Sequence, residues 1–411
     1  MNACKFLLAG QLLVLTSYSF GQTLLTQKLD SLMDSYVHQR YFSGSVLLAK
    51  GDTILYQKVF GLADREKKIA IQPTTTFSIA SVGKIFTATL IMQLVNEGKI
   101  DLDKTVNDYL PEWKIPNGNH IRVRHLLTHT GATNDYMANS DYDKVHATVS
   151  SIDDIMPFVV AGVTVKDTLG MEFGYSNSGY ILLGKIIEKV TGKPYTIVWQ
   201  ERILSPAGMT NTYLRPEGFQ APAEATPYDL FTDKAYVPEK DSYMPAFSDG
   251  GAMSNSTDLW RFGRWFMKTI PAQTRQAMWT PYVMSRINSY YGYGWTITEP
   301  QGRKRVSHSG GSKGWAANFE IVPQDEYTVI VLINQYQNPI EVTQKVLDIV
   351  YTGKVENPHR QFTSSVIDEI DRKGFSNVRK RFRTILTVGY DYTPDTRDYT
   401  NLFEGLNELK R

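Results

Sequence analysis

The stretch Trp315-Ala-Ala-Asn-Phe-Glu-Ile-Val-Pro-Gln-Asp-Glu-Tyr-Thr-Val-Ile-Val-Leu-Ile-Asn334 decides how this chain folds. It reads as two strands, Trp315 to Val322 and Tyr327 to Asn334, joined at Pro323-Gln-Asp325, and the second is an almost unbroken apolar run. Near the other end, between Ser43 and Val59, two short β-rich runs (Ser45-Val-Leu-Leu48 and Thr53-Ile-Leu-Tyr56) flank Lys50-Gly51-Asp52, a hairpin signal. Between these ends the period changes. Apolar residues at Val82, Ile85, Phe86, Leu90, Leu94 and Val95 give a largely buried helix over Ser81 to Lys99, closed by Gly98. Helical patterns recur from Asn177 to Val190, ahead of Gly192-Lys-Pro194, and from Thr257 to Lys268, with Ser254 or Ser256 as the N-cap. Strands at both ends with helices between them suit an α/β design. The N- and C-terminal strands share one sheet and a mostly helical region lies beside it.

The termini carry different compositions. Met1-Asn-Ala-Cys-Lys5 precedes an apolar run from Phe6 to about Phe20, and small residues stand at cleavage spacing in Ser19-Phe20-Gly21-Gln22. This predicts a secretory signal peptide over residues 1–21. A stable membrane anchor is the weaker reading, since the run is shorter than the ~20 apolar residues that span hydrocarbon and Gln11 interrupts it. The expected location is periplasmic or extracellular, in a bacterium. Cys4 is the single cysteine and would leave with the leader, so disulfides, cysteine zinc sites and thiol nucleophiles are excluded. Past Asn357 the text turns polar, with Arg379-Lys-Arg381-Phe-Arg383, and residues 357–411 read as a short helical appendage whose charge cluster is a solvated face. The main domain is then 22–356.

With 42% apolar residues the chain can bury a large core. A net charge of +2 offers no electrostatic case for nucleic acid or an anionic membrane, so the expected partner is a small-molecule or peptide substrate. Oligomeric state is not legible.

Chemistry concentrates in three places. In Ser81-Val-Gly-Lys84 the serine and lysine are three apart on one helix face, where a desolvated lysine can take the proton of a serine hydroxyl. At a helix start, the Ser81 backbone N–H and the positive helix end can face a developing oxyanion. Roughly one serine in fifteen to twenty has lysine three later by chance, and Ser81 is the only such serine here. Taken alone, the pair is as well explained by a structural lysine. Tyr175-Ser-Asn177 follows a Gly-containing loop and opens a helix: Tyr175 can shuttle protons, and Asn177 can hold both Lys84 and a substrate carbonyl. In His308-Ser309-Gly310-Gly311 the glycines allow close approach of a substrate backbone to an edge strand, and the Gly311 N–H can serve as a second oxyanion donor. His308 would bond a substrate carboxylate or the tyrosine. Its bland alternative is a turn histidine.

Taken together and in this order, these motifs resemble those of the serine β-lactamase and penicillin-binding protein superfamily, in its class C-like branch. His125-Leu-Leu-Thr-His-Thr-Gly131, Tyr175-Ser-Asn-Ser-Gly-Tyr-Ile-Leu-Leu-Gly184, Pro206-Ala-Gly-Met209, Gly250-Gly251 and Gly310-Gly-Ser-Lys-Gly314 resemble its framework, and the likeness covers roughly residues 30 to 350. It implies an antiparallel sheet with flanking helices, joined to an all-helical region, with the cleft between them. It also implies acylation of Ser81 by an amide, D-amino-acid peptide, ester or β-lactam carbonyl, hydrolysis of the acyl-enzyme, and no metal or organic cofactor. The substrate could be a cell-wall peptide or a β-lactam. Where such β-lactamases usually carry Lys-Thr-Gly or Lys-Ser-Gly, this chain has His308-Ser-Gly310, so a fixed positive charge gives way to a group mostly neutral near pH 7.

Rival readings remain. Gly310-Gly-Ser312-Lys-Gly314 satisfies the nucleophile-elbow pattern, but a strand-like run follows it and only His359 lies downstream. His125 and His129 are four apart without the glutamate a metalloprotease needs, which favours a structural role in the turn. Tyr136, Trp295 and Trp315 are candidates to line an acyl-binding surface. A penicillin-recognising sensor with little turnover is the alternative functional class.

Overall fold

The computed structural model describes residues 23–39, 42–131, 133–163, 168–214, 223–229, 237–238, 246–335 and 338–358. The segments read as leader and polar appendage lie outside them, apart from Asn357 and Pro358. Eight strands form one antiparallel sheet: β1 (Gly44–Lys50), β2 (Thr53–Phe60), β3 (Val283–Arg286), β4 (Ser289–Tyr291), β5 (Thr296–Thr298), β6 (Arg305–Ser312), β7 (Trp315–Val322) and β8 (Tyr327–Ile333). Their spatial order is β2-β1-β8-β7-β6-β5-β4-β3. β7 and β8 therefore lie inside the sheet, and β8 receives β1 from the far end of the chain, Gly44 opposite Ile333 and Lys50 opposite Tyr327.

Helices cover both faces. A helix over residues 23–38 (α1) and α6 (Pro339–Thr352) lie on one side. There Leu29, Leu32, Met33 and Tyr36 meet Val346, Leu347 and the β8 residues Val329, Val331 and Ile333. On the other side α2 (Gly83–Asn96), α3 (Ile152–Ala161), α4 (Asn177–Thr191) and α5 (Ser256–Thr269) build the larger core with Ala317, Phe319, Ile330 and Leu332. Strand alternation sends neighbours to opposite faces, which is why β7 and β8 are apolar on nearly every residue. Phe262 of α5 joins this core to the helices, with ring centroids 4.5 Å from Phe86 and 5.9 Å from Phe319. No helix among the described residues is long and apolar enough to cross a membrane.

The N-cap of α5 is Asn255, which takes the Asp258 N–H at 2.8 Å. The two serines expected there are used elsewhere: Ser254 Oγ meets Thr212 Oγ1 and Ser256 Oγ meets Ser45 Oγ, both at 2.8 Å.

Candidate active site

Ser81 stands where a strand becomes a helix. Phe77 and Ser78 pair with Ser254 and Met253, one 3-10 turn follows over Ala80–Val82, and α2 starts at Gly83. Ala80 adopts φ 44°, the left-handed region, which costs a non-glycine residue on the order of 1–3 kcal/mol. The surroundings enforce it: the Gly251 N–H donates to the Ala80 carbonyl at 3.2 Å and the Ile79 N–H to the Ala252 carbonyl at 2.9 Å. Gly250 (φ 149°) passes so near that a Cβ on it would lie 2.6 Å from the Ala80 oxygen. A Cβ on Gly310 would overlap the Ile79 oxygen and lie 3.0 Å from Ser81 N. Two chain segments thus close on the serine because each presents a glycine to it.

Lys84 is fully buried one turn further on. Its Nζ reaches Ser81 Oγ at 3.2 Å, Asn177 Oδ1 at 2.6 Å and the Asp249 carbonyl at 2.5 Å. Asn177 starts α4 and gives one side-chain N–H to Asp135 Oδ2 at 2.7 Å and a longer contact, 3.4 Å, to Met137 Sδ, while its Oδ1 meets Lys84. Asp249 is buried as well, its carboxylate taking the Tyr136 hydroxyl at 2.9 Å. Burial pushes that carboxyl up to about 6 although the Lys84 charge and the tyrosine bond oppose the rise.

Tyr175 approaches through its ring face, with Lys84 Nζ 4.9 Å from the centroid, a cation–π distance. Its hydroxyl has no hydrogen-bond partner among the described residues, and the residue is 40% exposed. Behind the ring lies His129, 4.3 Å away between centroids, then Tyr291 at 4.8 Å from His129. His129 occupies the left-handed region (φ 57°) and accepts the Ser176 N–H on Nδ1 at 3.1 Å, which ties the turn to the Tyr175 segment. His125 likewise uses Nδ1, for the Arg122 N–H at 3.2 Å. Each histidine therefore does a structural job in its turn.

His308 departs from expectation. It is 4% exposed, its Nδ1 lies 2.6 Å from the Ser309 carbonyl, and its Nε2 is 2.8 Å from the hydroxyl of Tyr291 rather than Tyr175. A carbonyl only accepts, so Nδ1 carries the proton and Nε2 accepts from Tyr291, an assignment made from the network. Both nitrogens are spent, which leaves none for a substrate carboxylate. Burial first and the Lys84 charge second hold His308 down at about 3, and burial likewise keeps His129 well below its ordinary value.

β6 is an inner strand of the sheet, not an edge, but β5 pairs with it only over Arg305 to Ser307. From His308 to Ser312 its side opposite β7 has no strand partner among the described residues. A cavity of about 1130 Å³ opens there, and Ser81, Tyr175, His308, Ser309 and Gly311 line it. A Cβ on Gly311 would meet only the Trp315 carbonyl, at 3.8 Å, so this residue borders open space.

Ser81, Lys84, Tyr175, Asn177 and the stretch from His308 to Gly311 are thus brought together around one cleft, and the structure adds Asp135, Asp249 and Tyr291. No local pattern marks those three, because each acts through a partner far away in sequence. Trp295, Trp315 and Tyr136 line no acyl surface: they are 0%, 5% and 1% exposed and belong to the core. Gly310-Gly-Ser312-Lys-Gly314 ends β6 and turns into β7, so no helix follows its serine.

The family model described as Beta-lactamase matches residues 26–349. Penicillin-binding protein 4* of Bacillus subtilis is 30% identical over 339 residues, 78% of this chain and 74% of that one. The penicillin-binding protein of Bacillus halodurans superposes with a TM-score of 0.71 at 27% identity, covering 77% of this chain and 98% of that chain. The octameric penicillin-binding protein homologue of Pyrococcus abyssi also gives 0.71 at 27% identity, covering 83% and 81%. The family match over residues 26–349 and these relatives show that the chain belongs to the Beta-lactamase family, within the superfamily of serine β-lactamases and penicillin-binding proteins.

Proposed function

We propose that this is a secreted serine hydrolase working through an acyl-enzyme on Ser81, with an amide, D-amino-acid peptide, ester or β-lactam carbonyl as substrate. The observation that carries the proposal is the coordination of Lys84. Two of its three partners, Asn177 Oδ1 and the Asp249 carbonyl, can only accept. The lysine ammonium gives one N–H to each of those oxygens and the third to Ser81 Oγ 3.2 Å away, and the amine that lacks this third proton turns a lone pair to the hydroxyl it must deprotonate.

The chemistry balances as follows. Ser81 Oγ bonds to the substrate carbonyl carbon as its proton passes to Lys84 Nζ, and the oxyanion is met by the N–H groups of Ser81 and Gly311. The bond to the leaving group then breaks, and that group takes a proton through the Tyr175 hydroxyl, whose lost proton is replaced from Lys84. Water attacks the Ser81 ester, its proton follows the route Ser81 first used, and Oγ departs with a proton. His308 supplies no charge for a substrate carboxylate, which favours substrates bound through their carbonyl and backbone.

Intact-mass analysis after exposure to a fluorophosphonate and to a penicillin, followed over time, tests this. Wild type should gain one adduct and Ser81→Ala none. Equal labelling of both would overturn the nucleophile, and a penicillin adduct that never clears would favour a sensor. Export rests on the apolar run from Phe6 to Phe20, and the exported chain should begin near Gln22.

A further inference from the structure

The cavity at Ser81 does not end there. It continues over the unpaired part of β6 onto the sheet face that α6 partly covers, where Thr298, Lys304, Arg305, Ser307, Glu320 and Gln344 line it. Register explains the grouping: Ser307 lies opposite Thr296 on β5 and opposite Glu320 on β7, so these side chains share one face.

Arg305 and Glu320 form an incomplete pair. Their closest approach is 3.7 Å, beyond hydrogen-bond range. Arg305 Nη1 gives its bond to Gln344 Oε1 at 2.6 Å, and Glu320 Oε2 has only a long contact, 3.5 Å, from Asn318 Nδ2. Arg305 Nε and Glu320 Oε1 have no partner among the described residues, although both side chains are only 8% exposed. Buried polar groups are ordinarily satisfied, and a charged donor beside a charged acceptor, both unmet, is a recognition element awaiting its complement. Burial with so distant a counter-ion holds the Glu320 carboxyl up at about 7, which agrees with an unmet need for an N–H donor.

We infer that the Arg305–Glu320 end of the cleft is a substrate subsite that binds a secondary amide, its C=O accepting from the guanidinium and its N–H donating to the carboxylate. Distance supplies the substrate class. Gly310 faces Ser81, while Gly311 and Ser307 alternate to the face that carries Glu320, so the route turns over the open edge of β6 and then runs four strand residues from Gly311 to Ser307, roughly 13 Å at about 3.3 Å per residue. An occupant that touches both ends is an extended peptide with a second amide well removed from the scissile carbonyl. The inference rests on the hydrolase proposal and narrows it to peptide-bearing substrates.

The test compares phenyl acetate with two esters that carry a triglycinamide arm, one on the acyl side and one on the leaving side. In wild type one armed ester should have the lower KM. In Glu320→Ala, Arg305→Ala and the double variant, kcat/KM for that ester relative to phenyl acetate should fall roughly tenfold. Should the alanine variants fail to fold, Thr298→Tyr, which fills the same end of the cleft from a half-buried position, must give the same fall. An unchanged ratio in the folded variants, or no advantage of either arm in wild type, overturns the subsite. If wild type hydrolyses no ester and takes neither a fluorophosphonate nor a penicillin on Ser81, the hydrolase proposal fails on its own. Ligand-observed NMR with acetyl-triglycinamide then decides the subsite, since its signals should broaden with wild type and not with the double variant or Thr298→Tyr.

Discussion

The carboxylate of Asp135 accepts a hydrogen bond from the Asn177 side chain at 2.7 Å and thereby fixes which end of that amide meets Lys84. A carboxylate cannot donate, so the amide nitrogen must face it, and Oδ1 is left for the lysine at 2.6 Å. Asp135 is a positioning residue. Asp135→Asn removes the distinction between the two amide orientations, and kcat for a short ester should drop about tenfold or more while KM moves less than threefold. Steady-state kinetics separate the two, and a KM change alone would place Asp135 in binding instead.

Lys84 and Ser81 act as a unit. Lys84→Ala should suppress fluorophosphonate labelling nearly as fully as Ser81→Ala, and the double variant should be no slower than either single one. Labelling time courses by intact mass measure this, and a Lys84→Ala protein that labels at the wild-type rate would remove Lys84 as the base.

Gly310 and Gly311 are adjacent in sequence and opposite in tolerance. A Cβ at 310 strikes the Ile79 oxygen behind the nucleophile, whereas a Cβ at 311 meets open space. Gly310→Ala should lose roughly 1–3 kcal/mol of stability and label slowly at Ser81, and Gly311→Ala should keep its melting temperature. Denaturant melts and labelling rates on the two variants make the comparison.

His308 sets an acid-side limit on stability. Its native value, about 3, lies below the ordinary 6.5, so as pH falls the unfolded chain takes up this proton first. The contribution is complete above pH 6.5 and is lost as pH falls toward 3. His308→Gln should therefore lose about 3 kcal/mol less than wild type between pH 7 and pH 4. Urea melts across that range report it, and parallel losses in both proteins would show that His308 titrates normally.

Local order was plain in the residues. The strand pair around Pro323, the hairpin at Gly51 and the helices beginning near Ser81, Asn177 and Thr257 all follow from period and turn chemistry, which act over a few residues. The N-cap of α5 escaped because Ser254, Asn255 and Ser256 are all good caps, and only distant partners, Thr212 and Ser45, withdraw the two serines.

By itself the sequence determined that Ser81 and Lys84 share a helical face, that Tyr175 and Asn177 open a second helix and that glycines border His308, since spacing along one element dictates each of these. Only the tertiary structure decided what surrounds them. Lys84 meets Asn177 across 93 positions and Asp249 across 165, while Tyr136 meets Asp249 across 113. The same packing turned His308 toward Tyr291 and away from the substrate, and left Arg305 and Glu320 unmatched in the cleft. Such contacts depend on how the sheet and its helices close on one another, and no local period encodes that closure.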